Sequence, residues 1–229
     1  MEASSRSDTT YQVLRRAIIE QALVPGTKLR EDEIGAHFGV SRTLVRAALM
    51  RLSQEGLVEI KHKRSATVAT PSLEEAQEIF ELRHCLERQV IRRLTANWQP
   101  DMAKALEEHV EAEDAAAHAG DTASASRLAG EFHIVLARMA GNALLARYLS
   151  ELVSRCSLIL AVYGRPHLAE CSTVEHRAII EALRKGDAEA SIRIMKKHLH
   201  AVETRALPKT QDAEDPKISD ILGRYRAAR

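Results

Sequence analysis

Aromatic residues, paired cysteines and long apolar runs are all scarce in this chain of 229 residues. Aromatic side chains make up 3% of the sequence, while alanine, leucine, glutamate and arginine abound, and this composition favours helices over sheets. The three cysteines, Cys85, Cys156 and Cys171, are widely spaced and form no Cys-x-x-Cys pair. We therefore expect buried free thiols that act as small hydrophobic groups, with redox sensing as the minor alternative.

No apolar run approaches the ~20 residues that a membrane-spanning helix needs, and the first ten residues lack the apolar core of a signal peptide. We therefore expect a cytoplasmic protein without a membrane partner. An apolar content of 45% over 229 residues is enough to bury two modest cores.

Charge is distributed unevenly along the chain, although the net charge is only +1. Residues 1–70 carry 11 Lys and Arg against 8 Asp and Glu, a balance of +3, and the remainder carries 22 against 24, a balance of −2. A basic excess at one end suits a module that contacts phosphate, because counterion release supplies most of the sequence-independent affinity for DNA.

Residues 39–51, GVSRTLVRAALMR, have the pattern of a DNA-reading helix. Gly39 suits the turn of a helix-turn-helix, and Ser41 is a favourable N-cap. The apolar stripe at helical spacing consists of Leu44, Val45, Ala48, Leu49 and Leu52. The opposite surface carries Arg42, Thr43 and Arg46, where side chains of a recognition helix enter the major groove. The alternative for this segment alone is a short amphipathic helix with a solvated basic face.

The flanking sequence predicts a winged helix-turn-helix over residues 9–70. A helix over 11–23 ends before Pro25 and Gly26, and a short helix over 31–38 follows. Two short strands, 57–60 and 66–69, lie on either side of the basic tip formed by Lys61, His62, Lys63 and Arg64.

A second unit begins near Ser72, which can cap a helix whose first turn contains Glu74 and Glu75. The pattern predicts about six helices, over residues 72–97, 101–119, 122–140, 142–163, 168–185 and 187–205. The expected architecture is mainly α: a winged helix-turn-helix (1–70), an antiparallel all-helical bundle (71–207), and a mobile tail (208–229).

Polar side chains interrupt the apolar faces of four bundle helices. Arg83 lies on the stripe of its helix, where it must find an anion. Its partner is either Glu87, one turn on, or a ligand carboxylate, and the pattern leaves both open. His133, His176 and His198 lie on apolar faces of three different helices. One such histidine is usually a core residue, but three together fit a metal site between facing helices.

The chain resembles the GntR family of transcription regulators, in the FadR subfamily with a C-terminal FCD domain. The resemblance rests on PGTKLREDEIGAHFGVSRTLVRAALMRLSQEGLVEI, EIFELRHCLE, EFHIVLARMAGNALL and EHRAIIEALRKGDAEASIRIMKKHL, which occur in the expected order over roughly residues 9–205. It implies a homodimer that binds a palindromic DNA operator. The DNA contacts that we expect come from Arg30, Ser41, Arg42, Thr43, Arg46, His62, Lys63 and Arg64.

The same resemblance implies that Arg83 holds an organic-acid effector and that His133, His176 and His198 bind a divalent metal such as zinc or nickel. An aspartate one turn before the first histidine completes the family's metal site, and Ala129 occupies that position here. Three positions depart from the family's usual residues: Leu44 stands in place of proline, Ala47 in place of glutamate and Ser65 in place of glycine. Asp32 replaces a DNA-contacting arginine, and Arg30 is the expected substitute.

The leading hypothesis is a DNA-binding transcription regulator, with repression as the expected mode, whose bundle senses a small carboxylate. It is not expected to be an enzyme. A metal-dependent hydrolase remains an alternative, because three histidines with an open position also describe catalytic zinc. That reaction needs an inward carboxylate, for which the family-like segments offer only Glu87. Another alternative is a metal-free dimeric DNA-binding scaffold without an effector.

Overall fold

The computed structural model describes residues 2–60, 66–164 and 170–207. Its N-terminal part, which we call the head, is a winged helix-turn-helix, as predicted. The helices are α1 (Glu2–Ile19), α2 (Glu31–Phe38) and α3 (Arg42–Gln54). The strands are β1 (Lys28–Leu29), β2 (Val58–Glu59) and β3 (Ala66–Val68), which pair antiparallel in the order β1-β3-β2.

Local residue preferences explain the helix boundaries of the head. Ser41 accepts a hydrogen bond from the Leu44 backbone N–H at the start of α3, and Gly39 ends α2 at φ 64°, where glycine has no steric cost. The first helix ends at Ile19 rather than at residue 23, before Gln21 adopts φ 60°. The two-residue strand β1 was not predicted, because it is too short to show an alternating pattern.

The predicted apolar stripe of α3 packs into the core of the head. Val45, Ala48, Leu49 and Leu52 are buried there, and Leu44 is half-buried. Their partners come from α1 and the strands and include Tyr11, Leu14, Ile18, Leu29, Leu57 and Val68. Because the apolar side of α3 is buried, its opposite face points to solvent.

The second part, which we call the bundle, contains six helices within the described residues. They are α4 (Leu73–Ala96), α5 (Pro100–His118), α6 (Thr122–Met139), α7 (Ala143–Tyr163), α8 (Glu170–Arg184) and α9 (Ala188–Ala206). Each predicted helix is present, with boundaries within two residues of the expected ones, except that the expected start of α8 at residue 168 lies outside the described residues. Side-chain N-caps explain four of the starts, at Ser72, Asp121, Asn142 and Asp187.

The bundle core lies between α4 and the five helices that follow. Fully buried Leu94, Leu106, Phe132, Leu149 and Ile179 each come from a different helix and belong to one apolar cluster. These contacts fix the relative positions of α4, α5, α6, α7 and α8, and Met195 and Leu199 add α9. Polar groups on the inward faces of these helices are therefore brought close together inside the bundle.

Helix α7 joins the bundle to the head. Leu158 of α7 is buried in the apolar core of the head. Arg15 of α1 donates to Ser154 of α7 and, through Nε, to Glu55 Oε2 at 3.0 Å. The next α7 residue, Arg155, lies against Gly56, where a β-carbon would come within 2.9 Å of the Arg155 Nε. Gly56 also has φ 72°, and this left-handed backbone conformation is the reason that the position favours glycine.

Within the part of the chain that the structure describes, no helix is both long enough and apolar enough to cross a membrane. Cys156 is a buried free thiol, as predicted, but the prediction is wrong for Cys85, which is exposed because it lies on the outer face of α4. The side chain of Cys171, the wing tip with His62, Lys63 and Arg64, and the tail at 208–229 lie outside the described residues.

Candidate DNA-binding surface and histidine cluster

The outward face of α3 presents the side chains that the sequence pattern selected for DNA reading. Ser41, Arg42, Thr43 and Arg46 are all exposed. Arg42 forms no ion pair with any of the described residues, so its guanidinium is open to a new acceptor. The face therefore offers cationic and hydroxyl donors of the kind that contact base edges and phosphates.

Two other predicted DNA contacts are held by acidic neighbours. The Nε of Arg46 lies 2.8 and 2.9 Å from the two carboxylate oxygens of Glu31 on α2. Arg30 is exposed and lies 3.0 Å from Glu33, one turn away. Both ion pairs are exposed to solvent and are therefore weak. The carboxylates compete poorly with a DNA phosphate for these arginines.

The three histidines singled out by sequence converge at one point of the bundle. His133 comes from α6, His176 from α8 and His198 from α9, and their residues are 2%, 0% and 2% exposed. One ring nitrogen from each lies within 4.8 Å of the other two. The Nε2 atoms of His133 and His198 face each other at 3.1 Å.

Each of these imidazoles has a carboxylate beside its other nitrogen. His176 Nδ1 donates to Glu113 Oε2 at 2.8 Å, and His198 Nδ1 donates to Glu175 Oε2 at 2.7 Å. His133 Nδ1 lies 2.8 Å from Glu87 Oε1, although the contact is poorly aligned for a hydrogen bond.

The expectation that Glu87 is the sole inward carboxylate of the family-like segments is wrong. Glu175 contacts His198 from a partly exposed position, and Glu113 is buried on α5, which lies between those segments. The spacing of Ala103, Leu106 and Val110 continues to Glu113, so the apolar stripe of α5 already contained the signal.

Burial keeps two histidines of the cluster in the uncharged form that can bind a cation. It lowers the pKa of His133 to about 3 and also lowers the pKa of His198. Burial acts to raise the pKa of Glu87, but His133 and Arg83 outweigh that effect and hold it at about 2. At neutral pH the two imidazoles are uncharged, as metal ligation requires.

Of the two partners that the sequence left open for Arg83, the structure contains Glu87. The Arg83 Nε donates to Glu87 Oε1 at 3.0 Å, and Arg83 is only 3% exposed, so the partner one turn away is present. It also contacts Cys156 of α7. Arg83 is also one of the residues that line a cavity.

The cavity measures about 580 Å³ and extends from the histidine cluster to the head. The three histidines, Arg83 and Ala129 line it from the bundle, and Arg15, Ile19, Glu20 and Gln21 line it from the head. Arg127 of α6 donates to Glu20 at 2.8 Å across this junction. A molecule in the cavity would therefore contact both parts of the protein.

Comparison with known proteins agrees with this architecture. The FCD domain family matches residues 78–201, and the family of bacterial regulatory proteins named gntR matches residues 6–68. The HTH-type transcriptional repressor RspR of Escherichia coli (strain K12) is 26% identical over 206 residues, covering 90% of each chain. The probable D-xylose utilization operon transcriptional repressor of Paenarthrobacter nicotinovorans is 30% identical over 184 residues, covering 80% of this chain and 81% of its own.

Among solved structures, E. coli McbR/YncC superposes with a TM-score of 0.77 at 21% identity, covering 86% of this chain and 94% of the other, and supports the fold. Both family matches fall on the parts that the structure builds as a winged helix-turn-helix and a helical bundle. The chain belongs to the GntR family of DNA-binding transcription regulators, in the group with a C-terminal FCD domain.

Proposed function

We propose that this regulator is a homodimeric repressor whose affinity for a palindromic operator is controlled by a small carboxylate bound beside a divalent metal. The observation that carries the proposal is the convergence of three buried imidazoles on the wall of a cavity that reaches the head. Repression is favoured because two similar proteins are named as repressors. Dimerisation is favoured because one winged helix makes too few contacts for tight, specific DNA binding.

The chemistry of the cluster fits a metal ion. Since an ionised carboxylate only accepts hydrogen bonds, His176 and His198 must carry their protons on Nδ1, and their Nε2 atoms are then lone pairs. His176 Nε2 has no hydrogen-bond partner among the described residues, and His198 Nε2 faces another imidazole nitrogen. A cation would satisfy all of these lone pairs.

Geometry and ligand type indicate zinc or nickel. Two ligands of one tetrahedral ion with bonds of ~2.0–2.1 Å lie roughly 3.3 Å apart. The 3.1 Å between His133 and His198 is close to this value, whereas the three nitrogens together spread over up to 4.8 Å, so the ion would draw them closer. His133, His176 and His198 would hold the ion, which would supply a positive centre for an anionic effector. Imidazole ligands suit both metals.

The effector would bind between the metal site and Arg83. Ala129 lines the cavity one turn before His133 and has no ligand atom, so three imidazoles leave open coordination positions on this side. A carboxylate there would meet the guanidinium of Arg83 as well. Thermal-shift measurements with a panel of organic acids, with and without zinc, followed by operator release in fluorescence anisotropy, test this assignment.

Arg42→Ala should lower affinity for the selected operator by ~1 to 3 kcal/mol and leave binding to random DNA almost unchanged, because a bidentate arginine reads base edges. The operator is first selected from a random library with the wild-type protein, and affinities are measured at fixed salt. The matched control is Arg92→Ala, which removes an exposed arginine from α4. Equal losses on both DNAs would refute base reading by Arg42.

Ala129→Asp should tighten metal binding and weaken effector binding. The new carboxylate adds a charged ligand one helical turn from His133 and takes the coordination position that the effector uses. Zinc affinity is measured by competition with a chromophoric chelator, and effector affinity by calorimetry on the zinc-loaded protein. Tighter binding of both would show that the effector does not coordinate the metal, whereas unchanged zinc affinity would place position 129 away from the ion.

A further inference from the structure

Two carboxylates outside the metal-ligand set are placed to control the histidine cluster. Glu113 is 1% exposed on α5, and its Oε2 accepts from His176 Nδ1 at 2.8 Å. Its Oε1 accepts from Ser172, one turn before His176 on α8. Glu175 accepts from His198 Nδ1 at 2.7 Å and thereby connects α8 with α9. In both contacts the carboxylate binds Nδ1, the ring nitrogen that points away from the other two imidazoles.

We propose that Glu113 and Glu175 are positioning residues of the metal site: they fix the Nδ1–H tautomers of His176 and His198 and compensate for the missing carboxylate ligand at position 129. The proposal rests on the metal site assigned under the proposed function. A second carboxylate shell of this kind raises ligand basicity and holds the ring orientation.

The charge around the cluster supports this arrangement. Glu87, Glu113 and Glu175 lie against the three imidazoles, and Arg83 contacts Glu87. Arg205 also acts on Glu175, so three carboxylates and two guanidiniums leave a net charge of minus one, which favours a cation at the cluster. The protein therefore retains anionic compensation for the ion although Ala129 provides none.

The carboxylates also explain how an alanine at position 129 is compatible with a preorganised site. Without a fourth protein ligand, ring rotation or a wrong tautomer would turn a protonated nitrogen toward the ion. Glu113 prevents both for His176, because its two oxygens are held by α8 residues one turn apart. Glu175 does the same for His198 from a side chain that is 25% exposed.

The experiment compares zinc affinity in the wild type, Glu113→Gln and Glu175→Gln by competition with a chromophoric chelator. Each substitution keeps the side-chain shape and removes the charge, and we expect each to weaken zinc binding by about 10- to 100-fold. Glu111→Gln is the matched control, because it removes an exposed carboxylate two residues from Glu113 on the same helix. Glu175, being partly exposed, tolerates substitution if Glu113→Gln does not fold.

Two metal-free measurements distinguish positioning from a general structural role. Long-range ¹H–¹⁵N spectra of histidine-labelled protein report the tautomers, and we expect the Nδ1–H form of His176 to lose its dominance in Glu113→Gln. Melting curves of the metal-free proteins show whether the fold is intact. Variants that bind zinc as tightly as Glu111→Gln, while the wild type binds it, would overturn this inference alone. A wild type that binds no zinc would overturn the metal site together with it.

Discussion

Saturating zinc is expected to raise the melting temperature of the metal-free protein by about 8–16 °C. A ligand present at 1,000 times its dissociation constant stabilises the folded state by ~4.1 kcal/mol, and each kcal/mol shifts the melting temperature of a chain of this size by ~2–4 °C. The shift is large because the ion would give a partner to His176 Nε2, which has none among the described residues, and would also bind the facing Nε2 atoms of His133 and His198. Differential scanning calorimetry after chelator treatment measures it directly.

His176→Ala should abolish this zinc-dependent shift, because two imidazoles bind zinc far more weakly than three. The matched control is His200→Ala, which removes an exposed histidine from α9 only two residues after His198. Elemental analysis of protein purified without chelator should find up to one divalent metal per chain in the wild type and none in His176→Ala. An equal shift in His176→Ala and His200→Ala would show that the stabilising zinc binds elsewhere.

The sequence predicted the fold closely because local signals agreed with each other. The stripe of Val45, Ala48 and Leu49 and the cap at Ser41 both indicate one helix, and the structure buries that stripe and uses that cap. In the bundle, capping residues marked helix starts that tertiary packing left unchanged, as at Ser72 and Asn142. The exceptions are short elements such as β1, whose two residues pair only because β3 lies beside them.

The sequence predicted the three histidines of the cluster but not the carboxylates that contact them. His133, His176 and His198 each interrupt an apolar face, so helical periodicity alone pointed to the interior. Glu113 gave the same signal on α5, yet its importance depends on how α5 and α8 pack, which periodicity does not determine. Glu175 is partly exposed and gave no comparable signal, because its role depends on reaching His198 on the next helix.

The cavity could not be predicted, since it is formed by residues far apart in the chain. One turn of α7 shows how it connects to the head: Cys156 lines the cavity and contacts Arg83, while Ser154 binds Arg15 and Leu158 is buried in the head core. A ligand that moves Arg83 would therefore act on a helix that already contacts α1. This supports coupling through a shift of α7 relative to the head.

Substitutions at Arg83 should allow its effect on stability to be separated from its effect on the response to the effector. Its pair with Glu87 is buried, so Arg83→Ala leaves that carboxylate with His133 as its remaining neighbour and should lower the free energy of unfolding by about 3–5 kcal/mol. Glu87→Gln should do comparable harm, because it leaves the guanidinium without its anion. The matched control is Arg88→Ala, which removes an exposed arginine from the same helix and should change the unfolding midpoint little. Chemical denaturation of the three variants measures these differences.

The double variant Arg83→Met with Glu87→Gln tests the ligand role without a buried unpaired charge. Replacing both members of a buried ion pair removes most of the penalty, so this protein should be more stable than Arg83→Ala and should still bind the operator. Allosteric coupling is typically worth ~1 to 3 kcal/mol, so a saturating effector should change wild-type operator affinity by roughly 5- to 150-fold. We expect the double variant to lose this response, because the planar guanidinium that meets the carboxylate is absent. A folded double variant that releases the operator as the wild type does would remove Arg83 from the effector site and leave it the partner of Glu87 alone.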